Sequence, residues 1–210
     1  MNLVIKHHAE LHASSKIEAV RQAFSLVEAI PIAIANWKEY SYVPAVTVKA
    51  LYTNHSIFLC YDVQEMHISA KYREINDPVY KDSCVEFFIS FDGNSYYNFE
   101  FNCIGTALVG YGTADKSTRK LLPKDLIETM TIDSVLDIKK LGASWTLLIN
   151  IPLHLFNAHP IHSLKELTCS GNFYKCGDDL PMPHFVSWTP IHHPEPNFHL
   201  PQFFGELYFE

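Results

Sequence analysis

The sequence predicts an all-β domain, an antiparallel sandwich or barrel, with one short N-terminal helix. Three observations support this fold class. Stretches in which apolar and polar residues alternate recur from residue 46 to the end of the chain. Turn-forming residues separate these stretches, and helical periodicity is confined to residues 16–29. Many short strands, frequent turns and few helices are typical of sandwiches and barrels.

The composition is that of one globular domain. The chain has 210 residues, of which 48% are apolar, enough to form a hydrophobic core. We expect a single domain over residues 1–210, with about residues 1–35 as an N-terminal appendage. The formal net charge is -7, with only 16 lysines and arginines. Because such a chain cannot form a dense basic face, we expect it to bind neither nucleic acid nor an anionic membrane.

The N-terminal segment has neither the apolar stretch nor the cleavage site of a secretory signal, and no apolar run reaches the ~20 residues that a membrane helix needs. We therefore expect a cytoplasmic location for the chain as given, or a periplasmic or extracellular one if a leader has been removed.

The cysteines and histidines predict no metal or cofactor. The cysteines are odd in number and include no Cys-x-x-Cys pair, so we expect buried free thiols and no disulfide framework. Their positions are Cys60, Cys84, Cys103, Cys169 and Cys176. His192, His193 and His199 could ligate a metal, but their segment is rich in proline and phenylalanine, which favours a loop.

The one predicted helix lies near the N-terminus. Ile17, Val20, Phe24 and Val27 follow each other at helical spacing, and Ser14 or Ser15 could cap the first turn. This pattern predicts a short amphipathic helix over residues 16–29 that packs against the domain.

Strands are predicted from the alternation of apolar residues. Residues 46–50 and 57–63 alternate on either side of a turn at Asn54-His55, which predicts an antiparallel pair. Pro152 is expected to end a strand over 145–151 and to start a single helical turn. Trp145 begins that strand on its inward row and is expected in the core. Lys175 is expected on the surface. Further strands are predicted at about 84–91, 97–104, 106–111, 130–139, 167–175 and 205–209.

The strands 84–91 and 97–104 form the most informative pair. Their apolar faces must meet the same core, so a one-residue slip is excluded. The simplest register pairs Phe91 with Tyr97, which sets Glu86 opposite Asn102. The other face of the pair then carries a polar row of carboxylates and amides: Glu86, Asn98, Glu100 and Asn102.

This polar row suits a sugar. Carboxylates and amides bind vicinal hydroxyls with paired hydrogen bonds, whereas an ordinary solvated face is richer in Lys, Thr and Arg. An aromatic ring can cover the C–H face of a pyranose. Tyr80, which follows the turn at Asp77-Pro78, and Trp188, near a strand end, are the candidate rings. Asn172 and Tyr174 would share an outer face and are further candidates.

At these residues the chain resembles the carbohydrate-binding modules of family 9. The resemblance covers about residues 36–210 and is closest to the stand-alone family-9-like proteins of gut-type Bacteroidetes. It implies an antiparallel β-sandwich, jelly-roll-like, that holds a sugar between two aromatic side chains. The ordered motifs that carry it are DPVYKDSCVEFFI (77–89), YYNFEFNCIGT (96–106), WTLLINIP (145–152), GNFYK (171–175), SW (187–188) and FFGEL (203–207).

The resemblance also assigns roles by position. Tyr80 and Trp188 match the two sandwiching aromatics, and Glu86 and Asn102 match polar ligand contacts. Glu100 stands where well-known members carry an arginine, a reversal of charge that bears on which sugar is bound. The structural calcium sites of the family are not recognisable in this sequence.

The first hypothesis is therefore non-catalytic carbohydrate binding. It would serve the use of poly- or oligosaccharides, in association with a glycoside hydrolase. The predicted ligand-binding residues are Tyr80, Glu86, Glu100, Asn102, Asn172, Tyr174 and Trp188. A glycoside hydrolase that uses Glu86 and Glu100 is an alternative, although an open sheet face lacks the pocket that raises a carboxyl pKa. A haem-binding DOMON-like sandwich with Met66 or Met130 as axial ligand, and a purely structural or protein-binding role, are the others.

Overall fold

The computed structural model describes residues 1–12 and 15–210. Nearly all of its regular structure is β. The helices are α1 (Ile17–Phe24) and α2 (Lys124–Ile127). None of the helices in the described residues is long and apolar enough to cross a membrane. The strands are β1 (Asn2–His7), β2 (Ile30–Pro31), β3 (Ile34–Ala35), β4 (Ala45–Tyr52), β5 (Ser56–Glu65), β6 (Cys84–Ser90), β7 (Tyr96–Asn102), β8 (Ala107–Gly112), β9 (Lys120–Leu121), β10 (Thr131–Ile138), β11 (Ala143–Pro152), β12 (Thr168–Cys176), β13 (Phe185–Ser187) and β14 (Gly205–Phe209).

The prediction of a mostly β fold is confirmed. Each strand predicted from alternation is present within two residues of its predicted ends. Pro152 ends β11, and a single 3₁₀ turn follows at Leu153–Leu155, as expected. Trp145 is buried in the core. The five strands that were not predicted are short or lie at the N-terminus: β1, β2, β3, β9 and β13.

Helix α1 is shorter than predicted and starts later. It begins after Lys16, so Ser15 is not its cap; the Ser15 hydroxyl instead accepts a hydrogen bond from the His12 amide at 2.8 Å. Ser14 lies outside the described residues. Val20 and Phe24 are buried against β4, β5 and β11. The helix therefore covers the outer face of that part of the sheet, which confirms the predicted packing role.

The strands form one mixed sheet. Its order is β10-β11-β5-β4-β1-β14-β12-β6-β7-β8-β9, with β2 added to β4, and β13 joining β12 to β3. Strand β1 is the seam: residues 2–5 pair in parallel with β14, and residues 6–7 pair in parallel with β4. The expectation of a purely antiparallel sheet is thus wrong for β1. A hairpin forces antiparallel pairing only on neighbours in the chain, and β1 pairs with no such neighbour.

The sheet curls so that its two halves pack face to face. Apolar side chains of β4, β5 and β11 meet those of β6, β7 and β12 in the main core. The Tyr61 hydroxyl of β5 donates a hydrogen bond to the backbone carbonyl of Glu86 on β6, at 3.0 Å. The rings of Phe87 and Phe173 stack at 5.0 Å in the same core. The apolar rows predicted from the alternation in the sequence therefore face the core, as expected.

A buried ion pair stands at one end of this core. Lys175 of β12 and Glu65 of β5 lie 2.8 Å apart, and both side chains are completely inaccessible to solvent. The Trp145 indole donates to Glu65 at 2.7 Å, and the Lys175 ammonium lies 2.8 Å from His184. The prediction of a surface lysine is therefore wrong. Side chains alternate along β12, so Lys175 lies on the opposite face from Tyr174 and Cys176. On that face the Glu65 carboxylate stabilises its charge.

A second apolar layer covers the outer face of β6, β7 and β12. Its members include Phe88, Tyr96 and Tyr174 from the strands, and Ile191 and Phe198 from the segment before β14. The sequence predicts an open sheet face here, and that expectation is wrong. The whole polar row lies beneath this layer, with exposures of 4% or less.

Candidate functional site

The polar row is set by the pairing of β6 with β7. Glu86 lies directly opposite Glu100, and Cys84 lies opposite Asn102. The predicted register, with Glu86 opposite Asn102, is therefore two residues off, although the face of every side chain is correct. The reason lies in the connecting loop, where the Asp92 carboxylate accepts hydrogen bonds from the amides of Asn94 and Ser95, each at 2.8 Å.

A cavity of about 410 Å³ opens above the row. Glu86, Asn98, Glu100, Leu108 and Cys176 line it from β6, β7, β8 and β12, and the rest of the lining comes from β13 and from segments between the strands. That remaining lining provides three aromatic rings, two cations, a carboxylate and an imidazole. They are Tyr80, Phe185 and Phe198, then Lys116 and Arg119, then Asp178 and His199. Aromatic walls above a floor of fixed polar groups are usual in ligand pockets.

A chain of hydrogen bonds runs across the floor. Arg119 donates from Nη2 to Asn98 Oδ1, and Asn98 Nδ2 donates to Glu100 Oε1 at 2.9 Å. The second oxygen of Glu100, Oε2, is buried and has no partner among the described residues. A buried acceptor without a donor is costly. Glu100 is thus suited to accept a hydrogen bond from a bound molecule.

Two glycines of β8 make room for this chain. Gly110 is paired with Asn98, and a Cβ on Gly110 would lie 2.6 Å from Asn98 Oδ1. A Cβ on Gly112 would lie 2.7 Å from the Cα of Arg119. A side chain at Gly110 would displace Asn98, and one at Gly112 would displace Arg119. The site therefore requires glycine at both positions.

Arg119 is held from two sides. Its guanidinium lies 4.3 Å from the centroid of the Tyr96 ring, in a cation–π contact. The Tyr96 hydroxyl is in turn 2.9 Å from Nδ1 of His199. Burial, together with the nearby positive charges of Arg119 and Lys116, lowers the pKa of His199 to about 3. His199 is therefore a neutral imidazole at physiological pH.

The carboxyls of the cavity are poor acids. Burial raises the pKa of Glu100 to about 7, against the opposing effects of Asn98 and Arg119. Burial also raises the pKa of Asp178 to about 6, and it raises that of Glu86 well above its ordinary value. Glu86 accepts a hydrogen bond from the Cys176 thiol at 3.1 Å. The floor therefore offers both protonated and ionised oxygens near neutral pH.

A comparison with known protein families identifies the family of this chain. The chain matches the model of carbohydrate-binding family 9 over residues 18–209. The chain belongs to carbohydrate-binding family 9. A search of curated protein sequences finds no match.

Solved structures support the family assignment. A proposed carbohydrate-binding protein of Bacteroides uniformis ATCC 8492 shares 38% identity, with 100% of this chain and 99% of that chain covered, at a TM-score of 0.93. A family 9 module of Caldicellulosiruptor kristjanssonii in complex with glucose shares 12% identity, covering 100% and 96%, at a TM-score of 0.63. The same module with cellotriose covers 100% and 94% at 12% identity and a TM-score of 0.63.

Three of the predicted ligand-binding residues of this family 9 chain line the cavity: Tyr80, Glu86 and Glu100. Asn102 lies beyond the end of the cavity floor. Its Nδ2 donates to the carbonyl of Tyr72 at 2.8 Å and to Asp82 at 3.1 Å, and its Oδ1 accepts from the amides of Ile104 and Thr106. It therefore holds the turn that follows β7.

Asn172, Tyr174 and Trp188 also lie apart from the cavity lining. Asn172 Oδ1 accepts from the Thr189 amide at 3.0 Å. Tyr174 is fully buried and stacks on Phe198 at 4.1 Å, so it supports the cavity wall from behind. Trp188 is 6% exposed and belongs to the main core, because it follows β13 on the inward side. These placements make internal packing their visible role.

Sequence reasoning missed Arg119 and much of the wall. Arg119 comes from the turn before β9, far along the chain from the β6–β7 pair. One signal was available: it is one of only three arginines in the chain. Its guanidinium supplies positive charge near Glu100, the residue that, by the family resemblance, stands where well-known members carry an arginine.

Proposed function

We propose that this chain binds a carbohydrate in the cavity above β6 and β7 and catalyses no reaction on it. The observation that carries the proposal is the unpartnered Oε2 of Glu100, a floor residue of a cavity with aromatic walls. Membership of family 9 supports it, and so do the glucose and cellotriose complexes of a module with the same fold.

The binding mode follows from the chemistry of the lining. A sugar hydroxyl would donate to Glu100, and other hydroxyls would bridge Arg119 and Asn197 at the edge. The C–H face of the ring would pack on Tyr80, Phe185 or Phe198, which buries apolar area without a polar partner. Such a site binds with micromolar to millimolar affinity, or about 4–8 kcal/mol.

Isothermal titration tests this mode. Wild-type protein and Arg119→Met are titrated with glucose, cellotriose and a panel of other mono- and oligosaccharides. A hydrogen bond to a charged group contributes about 1.5–3 kcal/mol, so we expect Arg119→Met to bind roughly 10–100-fold more weakly.

Arg21→Met is the matched control, because Arg21 lies on α1 in an exposed pair with Asp133. It should bind as wild type does. Absence of saturable heat with every sugar would contradict carbohydrate binding. Equal affinities for wild type and Arg119→Met would place the site elsewhere, and Trp188→Ala would then be the next variant to titrate.

We further propose a role in the use of poly- or oligosaccharides, together with a glycoside hydrolase. We propose a cytoplasmic location for the chain as given, and a periplasmic or extracellular one if a leader has been removed. The five free, buried cysteines support a reducing compartment. Trapping of free thiols in intact cells, followed by fractionation, would test the location.

Glycoside hydrolysis is the second candidate, and one observation favours it. Glu86 and Glu100 are direct cross-strand neighbours at the bottom of a cavity, and both have raised pKa values. A carboxyl with a raised pKa is suited to act as a general acid. Recovery of intact oligosaccharide after long incubation with the protein would exclude this function. Met66 is exposed and Met130 packs in the core, so neither supports a haem site in the cavity.

A further inference from the structure

Two cysteines and a glutamate meet at the floor of the cavity. Cys84 of β6 and Cys176 of β12 are directly opposite each other, and Glu86 follows Cys84 on the same face of its strand. Their ligand atoms all lie within 4.8 Å of one another, and all three side chains are buried. Among the described residues, no other His, Cys, Asp and Glu side chains form such a group.

We propose that Cys84, Cys176 and Glu86 form a binding site for a zinc ion. Zinc is bound by cysteine sulfur at about 2.3 Å and by carboxylate oxygen at about 2.0–2.2 Å, in tetrahedral geometry. Tetrahedral ligand atoms at those bond lengths are roughly 3.5–3.8 Å apart. Small side-chain movements within the 4.8 Å group reach that spacing. Thiolate ligands select against the hard cations Mg²⁺ and Ca²⁺.

Two of the three proposed ligands border the cavity. Glu86 and Cys176 are themselves lining residues, so an ion can enter from the cavity. Asp178 lines the same space, and its negative charge acts on both Glu86 and Cys176. Three protein ligands with an open fourth position leave room for a water or for a hydroxyl of a bound molecule.

The occupied site would be anionic and would lie near Lys175, which is already paired with Glu65. Two thiolates and a carboxylate with Zn²⁺ carry one net negative charge. The ammonium of Lys175 favours the charged form of both thiols. Cysteine binds zinc as the thiolate, so each thiol must lose its proton when the metal binds. Metal binding must therefore release protons, and its affinity must increase with pH.

Cobalt provides a spectroscopic test. The full-length chain, reduced and freed of metal with a chelator, is titrated with Co²⁺ in the absence of sugar. We expect one equivalent of Co²⁺ to produce the near-ultraviolet thiolate-to-cobalt charge-transfer band and the visible bands of a tetrahedral site. One equivalent of Zn²⁺ should abolish both signals. Absence of the charge-transfer band in wild type would overturn the proposal.

Three variants locate the site. Cys84→Ser and Cys176→Ser should lose the charge-transfer signal, whereas Cys169→Ser should keep it. Cys169 is a matched control, because it is a buried thiol on the same strand β12 and belongs to the main core. Persistence of the signal in both Cys84→Ser and Cys176→Ser would overturn the assignment.

Glu86→Gln covers the case in which a cysteine variant fails to fold, which circular dichroism would show. It leaves both thiols in place and should weaken Co²⁺ binding at least tenfold. Unchanged affinity would remove Glu86 from the ligand set and overturn the three-ligand site. Because no sugar is present, this outcome is independent of carbohydrate binding, which the calorimetry measures separately.

Discussion

Replacement of Lys175 by methionine removes one partner of the buried ion pair. Methionine has similar length and flexibility, so it can fill the space of the lysine stem. The change leaves Glu65 without its cation, at a position where neither side chain is exposed to solvent. Among the described residues, the Trp145 indole still donates to that carboxylate, and His184 Nε2 lies 3.9 Å from it. The variant therefore isolates the cost of one uncompensated buried charge.

The expected loss is large. Breaking a buried pair by removal of one partner costs about 3–5 kcal/mol, because the remaining charge stays desolvated. In a domain of this size each kcal/mol corresponds to about 2–4 °C, so Lys175→Met should lower the melting temperature by roughly 6–20 °C. The double variant Lys175→Met/Glu65→Gln should recover about 1–3 kcal/mol relative to the sum of the single losses, since the two residues are coupled.

Urea unfolding, followed by circular dichroism and tryptophan fluorescence, measures these free energies. The control is Arg21→Met, which breaks a pair at 2.5 Å whose side chains are 40% and 37% exposed. An exposed pair contributes about 0–1 kcal/mol, so this variant should be close to wild type. A loss below about 1 kcal/mol for Lys175→Met, or strict additivity with Glu65→Gln, would refute the argument.

Three further predictions concern the cavity floor and Asn102 beyond its end. Gly110→Ala should weaken sugar binding at least tenfold in calorimetry, because its Cβ would lie 2.6 Å from Asn98 Oδ1; Gly93→Ala, at a positive φ of 71° with open space around it, should cost stability without changing affinity. Glu100→Gln should become more stable relative to wild type as pH rises. The pKa of Glu100 in the folded protein is raised to about 7. The stability that the protonated Glu100 gives wild type is therefore complete below pH 4.5 and is lost as the pH rises through 7. The difference should reach roughly 3 kcal/mol at pH 8 in urea unfolding, and a pH-independent difference would contradict it. Asn102→Ala should lower the free energy of unfolding by about 2–3 kcal/mol, since it removes an amide that makes several internal hydrogen bonds, and should leave sugar affinity within about twofold.

The strands were predictable because their signal is local. Alternation with a period of two depends only on which side chains face the core, and the core is apolar along nearly every long strand. The same signal cannot choose between registers that differ by two residues, since both keep every side chain on its face. The pairing of Glu86 with Glu100 was decided by the loop around Asp92, where side-chain acceptors fix the turn.

The cavity was only partly predictable. Glu86, Glu100 and Tyr80 were found because the chemistry of a strand face and its neighbouring turn is visible in a short segment. The covering layer was missed, because residues 191–204 have no periodicity and show their apolar character only when packed on Phe88 and Tyr96. Lys175 was missed for a related reason: a buried lysine is expected only when its partner is known, and Glu65 is 110 residues away.

Strand β1 has a consequence for the order of folding. Its first residues pair with β14, so the pairs Asn2–Glu206 and Ile5–Phe209 join the two ends of the chain. Contacts of such sequence separation close very long loops, and folds that depend on them form slowly. During synthesis the two half-sheets can form early, but the seam between them cannot close until the last strand has left the ribosome. Until then β1 and β12, the two neighbours of β14, each present an unpaired edge, and this nascent intermediate is the state most prone to association with other chains.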